Sequence, residues 1–219
     1  MKRIVSLFDK TGTMVEPWAE AGHECWIVDI QHEKGVHFDE ERGIYIVGAD
    51  LRWHVPEELP RNVDFVACFP PCTDVSISGA RWYKGKGLRA LAGAVEMFAT
   101  SAEYAENTGA PYFIENPMSS ISTYWRPPDH KFHPCHYSGY HLDDNYTKET
   151  WLWVGNGFIM PPKDMPMDLF VDTQKIHYLP PSDERANIRS ATPTGFARAV
   201  FETYGKDDEE SGRPRRKSN

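Results

Sequence analysis

The sequence predicts an α/β protein, with one doubly wound sheet and helices on both faces. Three observations point there. The chain opens as strand, Gly-containing turn, helix and strand. Short apolar runs then alternate with helical patterns. Most of these runs end at a polar residue or a turn. The first strand is Arg3–Phe8, where Ile4, Val5, Leu7 and Phe8 stop at the polar turn Asp9–Thr13. Met14–Ala21 has helical spacing and is closed by Gly22. Glu24–Asp29 is a second strand ending in an acid, and Ile44–Val47 is a third, with Asp50 just beyond it. Asp64–Cys68 is the fourth. Leu88–Asn107 is the clearest helix, because Leu88, Leu91, Val95, Phe98 and Ala102 recur at helical spacing before Gly109 stops it. Pro111–Ile114 is the fifth strand. Thr150–Val154 is the sixth, followed by the turn Gly155-Asn156-Gly157, and Thr194–Tyr204 is the last helix.

A chain of 219 residues suits a single domain at roughly 150 residues each. That domain is expected over residues 1–205. Residues 206–219 read as a disordered tail, in which the acidic cluster Asp207–Glu210 precedes Arg213, Arg215, Arg216 and Lys217. The formal charge of −8 argues against coating nucleic acid by charge alone, while leaving room for a local basic groove. The longest apolar runs, such as Phe65–Phe69, fall far short of the roughly 20 residues needed to span a bilayer, so no membrane partner is expected. No leader pattern opens the chain, and a cytoplasmic location follows as the expectation. Cys25, Cys68, Cys72 and Cys135 are too few for a dense disulfide framework, and most of them suit packing.

Ligands of open α/β sheets bind beyond the carboxyl ends of the strands, so chemistry is sought there. Asp29, ending the second strand, can accept hydrogen bonds from a ribose diol, and Asp50, after the third, from an adenine amine. With the turn Asp9-Lys10-Thr11-Gly12-Thr13 these describe a nucleoside-containing cofactor. The fourth strand leads into Phe69-Pro70-Pro71-Cys72-Thr73 and the fifth into Glu115-Asn116-Pro117. A cysteine held by two prolines is a fixed thiol, and its thiolate is an efficient nucleophile. Glu115 on the neighbouring strand end can hold or donate a proton. Together they suit addition to an electron-poor ring. His133, Cys135 and His136 form a His-x-Cys-His group of metal-type ligands, but no second pair has orthodox spacing, so no metal is expected and the segment reads as a loop covering the active site. Tyr124, Trp125, Tyr137 and Tyr140 can stack on a base or pack, and packing is the expectation.

The Pro70-Pro71-Cys72 and Glu115-Asn116-Pro117 segments, in this order after apolar strands and behind the Phe8…Gly12 opening, resemble the cytosine 5-methyltransferases that use S-adenosylmethionine. The likeness runs from about Ile4 to Phe201 and is nearest to small phage and prophage members. It implies a Rossmann-like methyltransferase sheet in a single domain. It implies that Cys72 adds to carbon 6 of cytosine and that Glu115, with Asn116, contacts ring nitrogen 3 and the exocyclic amine. It places S-adenosylmethionine against Phe8, Asp9, Lys10, Thr11, Gly12, Thr13, Asp29, Ile30, Asp50, Leu51 and Pro70. It places the substrate against Pro71, Thr73, Ser76, Pro117 and Lys148, with Arg81, Lys84 and Lys86 on a mobile loop at phosphates. Ser190–Phe196 would close the methionine end.

Three departures accompany the likeness. Lys10 stands where the family usually has Gly. Tyr146–Thr150 lacks both arginines of the family's Gln-x-Arg-x-Arg segment, and Lys148 has no planar fork to replace them. Residues 155–189 are a short substitute for the target-recognition region, below the usual size of a domain. The resemblance implies a DNA substrate with the target base flipped out. The missing recognition region leaves open a free cytosine nucleotide such as dCMP, or RNA, and a homodimer that completes the groove. A non-catalytic relative that binds S-adenosylmethionine or nucleic acid is the remaining alternative.

Overall fold

The computed structural model describes residues 1–167, 171–173 and 191–206. Seven strands form one sheet: β1 (Arg3–Leu7), β2 (Glu24–Asp39), β3 (Ile44–Gly48), β4 (Phe65–Cys68), β5 (Tyr112–Pro117), β6 (His130–Phe132) and β7 (Thr150–Gly155). Their order is β3-β2-β1-β4-β5-β7-β6. β1 pairs in parallel with β2 and β4, and β4 with β5, whereas β7 runs antiparallel to both β5 and β6. The doubly wound, Rossmann-like sheet expected from the sequence is the fold observed.

Both faces are covered, which is why the central strands are continuous apolar runs rather than alternating ones. On one face α1 (Glu16–Glu20) and the C-terminal helix pack Trp18, Phe196 and Val200 against Ile4, Phe65 and Phe113. On the other, α3 (Leu88–Thr108) sets Ala94, Phe98 and Ala102 against Val5, Val66 and Ile114. Gly109 ends α3 in the left-handed conformation at φ 69°, a geometry that glycine adopts without steric cost. Between β4 and α3 lie a 3₁₀ turn (Ile77–Trp82) and the short α2 (Tyr83–Lys86). α4 (Ile121–Tyr124) follows β5, and α5 (Thr194–Tyr204) is the C-terminal helix.

The six predicted strands and the two long helices are present, and β6 (His130–Phe132), which no pattern marked, adds a seventh. Three further differences stand out. α1 is five residues long, because Met14 and Val15 belong to the turn before it, although both are buried. β2 continues past Asp29. Its arm Val36–Asp39 lies antiparallel to β3, with Val36 opposite Val47 and Asp39 opposite Ile44, and a hairpin turn closed by Gly43 N–H to Asp39 O at 2.8 Å joins the two. β5 extends to Pro117, so Glu115, Asn116 and Pro117 lie within the strand rather than after it. Their partners Leu152, Trp151 and Thr150 on β7 prolong the ladder. Of the short substitute region, 168–170 and 174–189 lie outside the described residues, as do Ser190 and the tail from 207 onward. No helix among the described residues is long and apolar enough to cross a membrane.

The order of strands reverses between β1 and β4. Connections leave in opposite directions there, and the loops beyond these two strands separate to form a crevice.

Candidate active site

A cleft of about 950 Å³ occupies that crevice. It is within the roughly 300–1,000 Å³ typical of ligand sites. One wall is the turn after β1. Asp9 builds it: the N–H groups of Gly12 and Thr11 donate to Oδ1 at 2.7 and 3.1 Å, and Ser6 Oγ donates to Oδ2 at 2.7 Å. Asp9 is 4% exposed, so its carboxylate chiefly organises the turn. Phe8, Asp9, Lys10 and Thr11 line the cleft, while Gly12 and Thr13 do not. Gly12 has φ 75°, and a Cβ there would lie 2.5 Å from Arg42 Nη2. That guanidinium donates to Thr11 O at 2.7 Å and pairs with Glu16 at 2.9 Å, so the glycine makes room for Arg42 behind the turn.

Asp29 stands beside this wall, 8% exposed and lining the cleft. Gln31 N–H donates to its Oδ1 at 2.8 Å and orients the carboxylate. Lys10 Nζ donates to Gln31 O at 3.1 Å, which ties the turn to the end of β2. Ile30, Asp50 and Leu51, also expected on the cofactor side, do not line the cleft. Ile30 is exposed and Leu51 is buried in the core. Asp50 is engaged by Arg52, whose guanidinium holds its carboxyl below the usual range, and it does not line the cleft.

The opposite wall comes from β4 and β5. Phe69 N–H donates to Leu7 O at 3.0 Å and extends the sheet by one residue before Pro70 and Pro71 turn the chain. Asn116, buried on β5, donates from Nδ2 to Pro70 O at 2.9 Å. Cys72 follows, partly exposed, and its carbonyl accepts Val75 N–H at 3.1 Å and Ser76 N–H at 2.8 Å. The loops after β4 and β5 are then tied together: Ile77 N–H donates to Met118 O at 2.9 Å, and Ser120 N–H to Val75 O at 2.8 Å. Pro70, Pro71, Cys72, Thr73 and Ser76 therefore line the same cleft as Glu115, Asn116 and Pro117.

The other three cysteines are buried. Burial pushes the Cys25 thiol up to about 12 and raises those of Cys68 and Cys135 as well. Glu115 is the most perturbed acid of the cleft. Burial raises its carboxyl above the ordinary range, and the positive charge of Lys148, also on the cleft, pulls it partway back. Glu115 Oε1 and Asn116 Oδ1 are enclosed and have no hydrogen-bond partner among the described residues. Enclosed polar atoms of this kind normally have a hydrogen-bond partner.

Arg81, Lys84 and Lys86 do not line the cleft. They lie on the segment that leaves its rim, with Lys86 paired to Asp74 at 2.6 Å. Gln31, Met118, His133, Thr147 and Thr192 also line the cleft. His133 belongs to the loop expected to cover the site, Thr192 to Ser190–Phe196 and Thr147 to Tyr146–Thr150, Met118 directly follows Pro117, and no local pattern marked Gln31. Among the described residues no group of three or more His, Cys, Asp and Glu side chains is placed to hold a metal ion.

No protein-family model and no curated protein matches the chain. Among solved structures it is similar to a candidate DNA modification methyltransferase encoded within a prophage (E. coli). The identity is 14% and the TM-score 0.43, over 83% of this chain and 56% of the other. This chain therefore spans little more than half the length of that protein.

Proposed function

We propose that the protein transfers a methyl group from S-adenosylmethionine to carbon 5 of cytosine in DNA, through a covalent adduct at Cys72. The observation that carries this reading is the meeting of Cys72 and Glu115 in one cleft with Asp29 and the Phe8–Thr11 turn. A nucleophile, a proton-holding acid and a diol acceptor converge on one cleft from β1, β2, β4 and β5 and the loops that follow them.

Asp29 fits the ribose diol of the cofactor, and the Phe8–Thr11 turn offers a wall for the rest of it. Asp50, engaged by Arg52, is not disposed to take the adenine amine. When bound, S-adenosylmethionine supplies an electrophilic methyl group. The thiolate of Cys72 forms a bond to carbon 6 of the ring. Glu115, whose carboxyl burial raises above its ordinary range, gives its proton to ring nitrogen 3 as the addition places charge there. Carbon 5 becomes nucleophilic and accepts the methyl group. Water acting as base takes the carbon 5 proton, the Cys72 sulfur leaves as thiolate, and the nitrogen 3 proton returns to the Glu115 carboxylate, so that the ring and both side chains are restored. Asn116 contributes by holding Pro70, and with it the nucleophile's loop, to β5.

The test supplies methyl-labelled S-adenosylmethionine with duplex DNA, single-stranded DNA, RNA or dCMP, using the native protein and Cys72→Ala. The expected result is 5-methylcytosine in DNA, at least a thousandfold less of it from the variant, and an unchanged fold. Near-normal turnover by Cys72→Ala removes the covalent mechanism, and label confined to dCMP or RNA reassigns the substrate.

A further inference from the structure

From Val75 to Val95 the chain carries Arg81, Lys84, Lys86 and Arg89 and no acid, in a protein whose net charge is −8. Lys86 is paired with Asp74, and Arg81, Lys84 and Arg89 remain exposed. Among these cations stands Trp82, 61% exposed, with the Arg81 guanidinium over its ring at 5.0 Å. A tryptophan left in water gives up the burial that normally stabilises so large a ring. Two contacts tie the segment to the nucleophile's loop: Tyr83 OH donates to Ser76 O at 2.6 Å, and Lys86 Nζ donates to Thr73 O at 3.1 Å. Ser76 to Gly79 line the cleft, so Trp82 lies three residues beyond its wall.

We infer that Trp82 is a stacking surface for a base neighbouring the one in the cleft, with Arg81, Lys84 and Arg89 drawing in the adjoining phosphates. This rests on the reading of the cleft as a cytosine site, and it specifies the partner as a DNA strand rather than a free nucleotide. An indole presents a π-face to any base, while exposed cations beside it neutralise the backbone. Such a pairing of aromatic and charge has no use for a mononucleotide already enclosed by the cleft. The tie to Ser76 and Thr73 keeps the stacking ring at a set distance from Cys72, so engagement of the flanking strand and placement of the target base are mechanically linked.

The test measures binding of a fluorescent DNA duplex carrying a cytosine opposite an abasic position, without turnover, by anisotropy across a salt series. Trp82→Ala is expected to bind about tenfold or more weakly, the size of one lost base stack, and Trp82→Phe to keep most of the affinity. Replacing Arg81, Lys84 and Arg89 together by Gln should flatten the salt dependence. A second measurement crosslinks bromodeoxyuridine placed beside the target cytosine and locates the adduct by mass spectrometry, with Trp82 the expected site. Equal affinity of Trp82→Ala and the native protein, or crosslinks only elsewhere, overturns the inference. Trp82-dependent binding upholds the inference even if Cys72→Ala shows the chemistry to be misassigned. Trp82-independent binding overturns it even if cytosine is methylated.

Discussion

Glu115 shows how one side chain can serve function at the expense of stability. Its enclosed Oε1 has no hydrogen-bond partner among the described residues, and burial raises its pKa. Because the folded value lies above the unfolded one, the folded state holds this proton more tightly, and stability falls as pH rises through the folded value. Glu115→Gln removes that dependence. Thermal melts should show the variant more stable than the native protein at pH 8 and the difference closing near pH 4. Its turnover should fall by about 10²- to 10⁴-fold, because the amide cannot give up a proton to the ring. A difference between variant and native protein that is the same at both pH values would show that Glu115 is not held in its raised state. Cys72 is distinguished by its exposure: the three other thiols are buried and burial raises their pKa, while it alone of the four is partly exposed, on a ligand cleft.

At the scale of elements, the site depends on how strand ends are finished. The turn after β1 is built by one buried carboxylate that accepts from Ser6, Thr11 and Gly12. Asp9→Ala should cost about 1–3 kcal/mol in urea denaturation, since those donors lose their acceptor, and should weaken cofactor binding in parallel. Undiminished cofactor affinity would mean that the turn's shape does not matter to the site. The loops after β4 and β5 act as one body through Asn116, Ile77 and Ser120, so the nucleophile and the acid are held by the same set of bonds. Much of this was legible in the sequence. The apolar runs and helical periods located β1, β4, α3 and α5 closely. The return arm of β2 was not, because Gln31–Asp39 is too polar to read as a strand and forms only because β3 offers an unpaired edge.

For the whole molecule, the crevice at the strand-order reversal decides where a ligand lies, and binding there should be visible in global stability. A ligand at 100 times its Kd adds about 2.7 kcal/mol, which is roughly 5–10 °C for a domain of this size. S-adenosylmethionine should raise the melting temperature accordingly. Asp29→Asn should diminish the rise, and Asp50→Asn should leave it intact, because Asp50 is engaged by Arg52 off the cleft. Equal losses from both variants would place the cofactor differently.

The sequence by itself determined the α/β class, the main elements and the two segments that hold Cys72 and Glu115. These are local properties: apolar period, turn chemistry and the residues directly following a strand. Only the tertiary structure decided which of the candidate side chains share a cleft. Asp29 and Asp50 look alike as acids at strand ends, yet one lines the crevice and the other is taken by an arginine two residues away. Gly12 looks like a cofactor glycine, yet its missing side chain accommodates Arg42. Such outcomes depend on residues distant in sequence and on the order of strands in the sheet, and long-range packing of that kind leaves no local pattern to read.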